Sequence, residues 1–255
     1  MTLIDNAVQQ IRPVLYEEEW ERIQAIQSLY PHMTDKKSAN NDLASFIDHT
    51  LLNPDATPEQ IRQLCEDALK WQTYAVCINS WLVPTAHEVL AGTAVKLATV
   101  VGFPLGACAS TAKAYESTWA MEQGADEIDM VINRGALKAR AFRYVLDDIL
   151  LVRQAAPAPI ILKVIVESQA LSDVEKVMAA LLSVAAGADF VKTSTGFDKK
   201  GATVADVQLL RSVVGAGTGV KAAGGIHSRE EAWAMVAAGA NRIGASRTRD
   251  ILQEE

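Results

Sequence analysis

The sequence has few of the residues that build metal centres and disulfide frameworks. Among its 255 residues there are only three cysteines and four histidines. Cys65, Cys77 and Cys108 show no metal-ligand spacing and cannot all pair with one another. No HxH or HExxH pattern occurs. We therefore expect free thiols in a reducing compartment, and no metal or other cofactor.

Long apolar runs and an excess of positive charge are also absent. No run approaches the roughly 20 apolar residues that span a bilayer, and the start, MTLIDNAVQQIRP, lacks the basic and apolar regions of a signal peptide. A net charge of −7 argues against general nucleic-acid binding, although a local basic pocket could still bind a small anion. We expect a cytoplasmic protein whose partners are small molecules, with neither nucleic acid nor membrane among them.

The residues that are present indicate a large core preceded by a different segment. Hydrophobic residues make up 49% of the chain and charged residues 22%, which is typical of a globular protein. Apolar residues recur at helical spacing from Leu15 to Leu29, Pro31 ends the pattern, and residues 32–41 are polar. We predict an N-terminal helical extension and linker at 1–41 and one domain at 42–255. The extension either packs on that domain or contributes to a dimer interface.

From Phe46 onward, short β-branched runs alternate with helical patterns. The eight runs are FIDHT, YAVCIN, KLATVVG, EIDMVIN, IILKVIVE, DFVKTS, GVKAA and NRIGAS. Three of them follow a similar signature, QGADEID, AGADFVK and AGANRIG, in which glycine ends the preceding helix. Eight such units predict an α/β fold, the eight-stranded parallel (β/α)8 TIM barrel. An open doubly wound sheet is the rival, but no GxGxxG follows the first strand.

Strand alternation places an unusual set of polar residues on the inner face of this barrel. They are Asp48, Thr50, Cys77, Asn79, Asp129, Asn133, Lys163, Lys192 and Lys221. Any one of these charges is most simply an ordinary ion pair. Three lysines and two aspartates together are hard to explain without a function, because an isolated buried charge is costly.

The chemistry of this cluster favours imine formation without a metal. Lys192 and Lys221 lie on successive strands, which are neighbours in a barrel. A second cation lowers the pKa of a nearby lysine, as desolvation does, so one of the two would be neutral and nucleophilic. An inward carboxylate such as Asp129 could move protons. Alternation alone does not tell which lysine is the nucleophile.

A second feature, at the end of the chain, suggests a phosphate subsite. Gly224 and Gly225 follow the seventh strand, and Gly244 to Ser246 end the eighth, just before a possible short helix. Backbone N–H groups in these two loops commonly bind phosphate in TIM barrels. Thr195 and Gly196, after the sixth strand, could add to the subsite.

At this point the ordered motifs resemble the 2-deoxyribose-5-phosphate aldolase family. They are IDHTLLNPDAT, AVCIN, VVGFPLGA, GADEIDMVIN, LKVIVES, GADFVKTSTGF, VKAAGGI and RIGAS. The resemblance covers all eight proposed strands. It implies a metal-independent class I aldolase that reversibly cleaves 2-deoxyribose 5-phosphate to acetaldehyde and glyceraldehyde 3-phosphate. A homodimer is common in that family and is expected here.

The resemblance also implies a role for each matching residue. Lys192 forms the Schiff base, Lys221 adjusts its ionisation, and Asp129 transfers protons. The residues expected to contact substrate are Asp48, Thr50, Cys77, Asn79, Lys163, Thr195, Gly196, Gly224, Gly225, Gly244 and Ser246, of which the last four hold phosphate. Arg247 stands where many members have a small residue, and it could reshape the phosphate subsite.

Three alternatives stay open on the sequence. Another Schiff-base aldolase or transaldolase-like barrel could act on a different phosphorylated sugar. A catalytically silent barrel could serve as a scaffold through its N-terminal helix, although all three proposed catalytic residues are present. Metal-dependent aldol cleavage is the third, and insensitivity to EDTA would remove it.

Overall fold

Eight parallel strands close into a barrel in the order β1 to β8, as a computed structural model of the chain shows. The structure describes residues 2–28, 42–198 and 200–253. The strands are β1 Ile47–Leu51, β2 Ala75–Ile78, β3 Lys96–Val101, β4 Glu127–Val131, β5 Ile161–Ile165, β6 Phe190–Lys192, β7 Gly219–Ala223 and β8 Arg242–Ala245. Strand β8 pairs back onto β1, so the predicted TIM barrel is confirmed and the open sheet is wrong.

The helices lie between successive strands and at both ends of the chain. They are α1 Leu3–Ile11, α2 Glu17–Ser28, α3 Pro58–Trp71, α4 Val83–Leu90, α5 Ser110–Glu122, α6 Arg134–Lys138, α7 Phe142–Ala155, α8 Asp173–Ala185, α9 Val204–Val214, α10 Arg229–Ala237 and α11 Thr248–Leu252. Among the described residues, no helix is long and apolar enough to cross a membrane.

Local sequence signals explain where the helices begin. Thr57 caps α3 as predicted: its hydroxyl accepts a hydrogen bond from the Gln60 N–H, the Gln60 side chain bonds back to Thr57, and Pro58 occupies the first helical position. The same reciprocal cap starts α8 at Ser172 and α10 at Ser228. These caps satisfy N–H groups that have no partner within the helix.

The signature that precedes β4, β6 and β8 contains a glycine and, two residues later, an Asp or Asn, and the structure explains both. Each glycine has a positive φ: 104° at Gly124, 76° at Gly187 and 110° at Gly239. A side chain two residues further on then accepts a hydrogen bond from the main chain of the preceding strand. These pairs are Asp126 with Leu97 N, Asp189 with Leu162 N and Asn241 with Val220 N, at 2.9, 2.8 and 3.0 Å. The signature therefore ends a helix and joins adjacent strands at the N-terminal end of the barrel.

The N-terminal helices pack on the outside of the barrel domain. Helices α1 and α2 both lie against α8, and Ala7, Ile11 and Ile23 are fully buried there. The Arg22 Nη1 donates to the Ala185 carbonyl oxygen at 2.8 Å. Helix α2 falls within the predicted helical segment, whereas α1 was not predicted. The predicted polar linker at 32–41 lies outside the described residues.

Candidate active site

Asp129 is the centre of a charged cluster inside the barrel. Its Oδ2 accepts hydrogen bonds from Lys192 Nζ and Lys221 Nζ, each at 2.8 Å, and its Oδ1 accepts from Lys163 Nζ at 2.5 Å. Burial raises the pKa of the Asp129 carboxyl, but the three ammonium groups outweigh burial and hold it well below its usual range. The carboxylate is thus ionised and shared by three lysines.

The strand register is what brings these lysines together. Lys192 and Lys221 are direct partners in the β6–β7 pairing, and Asp129 and Lys163 are direct partners in the β4–β5 pairing. Partners in register project on the same side of the sheet, so each pair enters the barrel interior together. The β5–β6 pairing aligns Lys192 with Ile165 rather than with Lys163, and the Asp129 carboxylate joins the two pairs. The prediction that Lys192 and Lys221 stand side by side is confirmed.

Lys221 has a second carboxylate partner on the first strand. Its Nζ also contacts Asp48 Oδ2, and both side chains are fully buried. Burial opposes the charge on Lys221, yet Asp129 and Asp48 raise its pKa. Burial likewise opposes ionisation of Asp48, but Lys221 and Arg242 lower its pKa. Lys221 is therefore held as a cation by two carboxylates.

A cavity of about 320 Å3 opens above this cluster, at the C-terminal ends of the strands. Its lining residues are Thr50, Leu51, Leu52, Asn53, Lys192, Thr195, Gly196, Phe197, Ala223, Gly224, Gly225, Ile226, His227, Gly244, Ala245 and Ser246. Among them, Lys192 alone belongs to the charged cluster. Its side chain is 2% exposed, so it joins the buried charges to the cavity.

The predicted site residues fall into two groups around this cavity. Thr50, Thr195, Gly196, Gly224, Gly225, Gly244 and Ser246 line it together with Lys192. Asp48, Cys77, Asp129, Lys163 and Lys221 are fully buried and outside its lining. The Cys77 Sγ is 4.0 Å from Asp129 Oδ2, and burial raises the pKa of this thiol. Asn79 lies outside the lining, where its Nδ2 donates to the carbonyl oxygen of the lining residue Asn53 at 3.2 Å.

Three glycines allow two of the cavity loops to approach closely. Gly196, Gly224 and Gly225 have φ values of 85°, 86° and 74°, which residues with a Cβ rarely adopt. A Cβ on Gly224 would lie 3.1 Å from the Gly201 Cα and 3.2 Å from the Gly196 Cα. The loop after β7 therefore packs directly on the loop after β6. Helix α11 has only five residues, so a phosphate subsite here depends on these loops rather than on a helix terminus.

Sequence reasoning missed two charged residues of the barrel interior. The Arg242 guanidinium is 2.9 Å from Asp48 Oδ1 and 3.1 Å from Glu127 Oε2, and Glu127 Oε2 is 2.6 Å from Lys163 Nζ. Glu127 is two residues before Asp129, and Arg242 is two residues before Gly244. Strand alternation, applied to the first residue of each strand, would have found both.

Glu167 was also missed, and it supports the cavity wall. Its backbone φ is 58°, and its Oε2 accepts hydrogen bonds from the Thr195 N–H at 3.1 Å and the Thr195 hydroxyl at 2.5 Å. Only its place in the run LKVIVES drew attention to it. Glu167 thereby fixes the loop that carries Thr195 and Gly196.

The cavity rim contains two aromatic rings and lies near Arg247. Phe103 and Phe197 meet edge to face, with ring centroids 5.1 Å apart. Arg247 is exposed at the start of α11 and is outside the cavity lining. His227, which sequence reasoning did not single out, lines the cavity beside the glycine pair. Within the described parts of the chain, no group of three or more His, Cys, Asp or Glu side chains could hold a metal ion.

Comparisons with known proteins agree with this geometry. The family model described as DeoC/LacD family aldolase matches residues 42–254. A deoxyribose-phosphate aldolase from Coprothermobacter proteolyticus is 54% identical over 209 residues, which are 82% of this chain and 95% of that protein. One from Aciduliprofundum boonei is 53% identical over 83% of this chain and 96% of that protein.

Solved structures of similar proteins extend the match to the fold. A putative deoxyribose-phosphate aldolase from Coccidioides immitis superposes with a TM-score of 0.83 at 38% identity, over 93% of this chain and 97% of that one. The deoxyribose phosphate aldolase from Aeropyrum pernix, described as a unique tetramer, gives a TM-score of 0.75 at 32% identity, over 92% and 94%.

Proposed function

This chain belongs to the DeoC/LacD family of aldolases, and we propose that it reversibly cleaves 2-deoxy-D-ribose 5-phosphate into acetaldehyde and D-glyceraldehyde 3-phosphate through a Schiff base on Lys192. It is an enzyme, a lyase that breaks a carbon–carbon bond. The substrate is the one that the names of its relatives specify.

The observation that carries the assignment of the nucleophile is the position of Lys192. Of the three barrel lysines, Lys163 and Lys221 are fully buried and outside the cavity lining, whereas Lys192 lines the cavity. An aldehyde in the cavity can therefore reach the Lys192 amine while the buried ion pairs of Lys163 and Lys221 stay in place. The Asp129 carboxylate, 2.8 Å from that amine, is close enough to exchange protons with it.

The reaction follows from an amine that captures an aldehyde. Neutral Lys192 attacks C1 of the open-chain sugar, and loss of water gives an iminium ion. The iminium accepts the electron pair of the C2–C3 bond as that bond breaks and the C3 hydroxyl loses its proton, which releases glyceraldehyde 3-phosphate and leaves an enamine on Lys192. The remaining enamine takes a proton on carbon, and water then hydrolyses the new iminium to acetaldehyde and free Lys192.

Asp129 and its neighbours supply a route for these protons. Because its pKa is held low, Asp129 accepts protons in the resting site rather than donating them. A proton that reaches the enamine through Asp129 must first come from an ammonium neighbour, and Lys221 contacts the same Oδ2 as Lys192 does. We assign Asp129 to proton transfer and Lys221 to the electrostatics of the pair.

The phosphate end of the substrate is assigned to the loops after β6, β7 and β8. Gly224, Gly225, Gly244 and Ser246 line that side of the cavity, with Thr195 and Gly196 opposite the glycine pair. Glycine lets the backbone N–H groups approach an anion without a side chain between them. Asp48, Thr50, Cys77, Asn79 and Lys163 complete the polar surroundings of the sugar, directly or through the residues that they hold.

A homodimer in the cytoplasm is our proposal for the assembled protein. Its support is the resemblance to a family in which homodimers are common and the free cysteines Cys65 and Cys77. We also propose that residues 1–41 are an extension to a domain at 42–255. Sedimentation of the full chain beside a variant that starts at Asp42 tests both, because an interface built from the extension would be lost.

Reductive trapping tests the nucleophile. The protein is incubated with acetaldehyde and sodium borohydride, digested, and mapped by mass spectrometry. We expect a reduced two-carbon adduct on the Lys192 peptide, and loss of both adduct and activity in Lys192→Leu. The control Lys70→Met, on α3, should keep both. An adduct confined to Lys163 or Lys221 would show that the assignment is wrong.

A further inference from the structure

Six charged side chains inside the barrel form a closed ring of alternating sign. Around the ring the pairs are Arg242–Glu127 at 3.1 Å, Glu127–Lys163 at 2.6 Å, Lys163–Asp129 at 2.5 Å, Asp129–Lys221 at 2.8 Å, Lys221–Asp48, and Asp48–Arg242 at 2.9 Å. All six are at most 5% exposed. Each carboxylate of the ring lies between two cations.

The ring is electrically balanced without Lys192. It contains three cations and three carboxylates, and Lys192 attaches to it from the cavity side through Asp129. Lys163 and Lys221 each contact two carboxylates of the ring, whereas Lys192 contacts one, so loss of a proton from Lys163 or Lys221 would break two buried ion pairs and loss from Lys192 only one. Loss of a proton from Lys192 leaves the ring unchanged. Lys192 is therefore the surplus cation of this interior.

We propose that Arg242 and Glu127 are positioning residues for the reaction, because they close this ring and so make Lys192, rather than Lys163 or Lys221, the lysine that gives up its proton. The inference rests on the proposed function, in which neutral Lys192 attacks the substrate. It adds two residues that lie outside the cavity lining and reach Lys192 only through the other members of the ring.

Arg242 suits this position because its charge is permanent. A guanidinium does not lose its proton in proteins, so it cannot replace Lys192 as the neutral member. Its Cζ lies 3.4 Å from the centroid of the Tyr74 ring and 5.3 Å from that of Phe190, so two aromatic rings fix it. Burial opposes its charge, but Asp48 and Glu127 raise its pKa further.

Changing the ring's charge by one unit in either direction tests the proposal. Arg242→Met removes a cation, so Lys192 should keep its proton to higher pH. Glu127→Gln removes a carboxylate, so Lys192 should lose its proton at lower pH. Arg242, Lys221 and Lys192 are register partners on successive strands, so two strand spacings of about 4.8 Å separate Arg242 from Lys192. One charge about 10 Å away, at an effective dielectric constant of about 20, corresponds to a shift of about one pH unit. The double variant and Arg242→Lys preserve the charge balance and should stay close to the parent.

The readout is the pH dependence of Lys192 acetylation by trace acetic anhydride, measured by peptide mapping and compared with the pH profile of kcat/KM. Opposite shifts that cancel in the double variant support the proposal. If the labelling profile shifts in the same direction in both single variants, or does not shift in folded variants, the proposal is overturned. A loss of packing alone would not shift Arg242→Met and Glu127→Gln in opposite directions. If Arg242→Met does not fold, Glu127→Gln decides: a downward shift supports the proposal, and any other result overturns it. Labelling needs no substrate, so shifted labelling in an inactive protein would reject the proposed function alone.

Discussion

Gly224→Ala should separate binding of the phosphate from the rest of catalysis. Gly224 has a φ of 86°, and its loop lies on the Gly196 and Gly201 backbones, within 3.2 Å of where a Cβ would be. The backbone strain of an alanine in this region is about 1–2 kcal/mol. The contact is with main-chain atoms, which cannot rotate away, so the loop after β7 must move. The N–H groups assigned to the phosphate move with it.

The expected size follows from one charge-assisted hydrogen bond. Such a bond contributes about 1.5–3 kcal/mol, so its loss should lower kcat/KM for 2-deoxyribose 5-phosphate by roughly 10- to 100-fold. The unphosphorylated sugar, 2-deoxyribose, lacks that bond and should be affected far less. The ratio of kcat/KM for the two substrates is therefore the quantity to measure, by coupled assay of the released aldehydes.

Gly92→Ala is the matched control for this substitution. Gly92 has a similar φ of 78°, but nothing lies within 4 Å of an added Cβ, and it is outside the cavity lining. It should lose only the stability that corresponds to backbone strain, about 1–2 kcal/mol in thermal unfolding, and keep the substrate ratio of the parent. If Gly224→Ala also kept that ratio, or lost activity equally on both sugars, the assignment of the phosphate to the loop after β7 would be refuted.

Three further substitutions test the buried charges and the outer wall of the barrel. Asp129→Asn should lower kcat by about 10²–10⁴-fold, because proton transfer is lost while the three lysines stay; steady-state kinetics with a loss below tenfold would contradict the role. Burial lowers the pKa of His49 from 6.5 to about 4. The unfolded chain therefore binds a proton at His49 more tightly than the folded protein does. The free energy of unfolding is highest above pH 6.5 and decreases as the pH falls towards 4. That loss, about 3 kcal/mol at most, should be measurable by urea unfolding and absent in His49→Gln; an equal pH dependence in both proteins would refute it. Asp148→Ala removes the carboxylate that pairs with the buried Lys113 ammonium at 2.5 Å, and it should lower the free energy of unfolding by about 3–5 kcal/mol. Asp147→Ala, at the exposed neighbouring residue, should lower it by under about 1 kcal/mol. Equal urea midpoints for the two variants would contradict this.

The order of the fold could be predicted because its signals are local. Thr57 and Pro58 mark the start of α3 within a few residues, and the three repeated glycines end helices through a φ that other residues avoid. Helix α1 was missed although five of its nine residues are apolar and recur at helical spacing, because the run is short and ends just before Pro13. Its stability comes from packing on α8, which no local pattern reveals.

The candidate site could be predicted in part for a similar reason. Alternation placed Asp48, Asp129 and the three lysines on the inner face, since the period of a strand is fixed by its covalent geometry. It did not assign Glu167, whose contact with Thr195 joins the ends of two different strands. Asn79 was expected to contact the substrate, but it lies outside the cavity lining and donates a hydrogen bond to the lining residue Asn53.

The sequence by itself determined the eight strand–helix units, the inward lysines and the family resemblance, because each depends on residue order and spacing along one stretch of chain. Only the tertiary structure decided which carboxylate each lysine contacts, because those pairs join residues as far apart as Asp48 and Lys221. It also decided that Lys192 alone of the three lysines meets the cavity. Distance in space, burial and charge balance distinguish the three, and none of these is a property of local sequence.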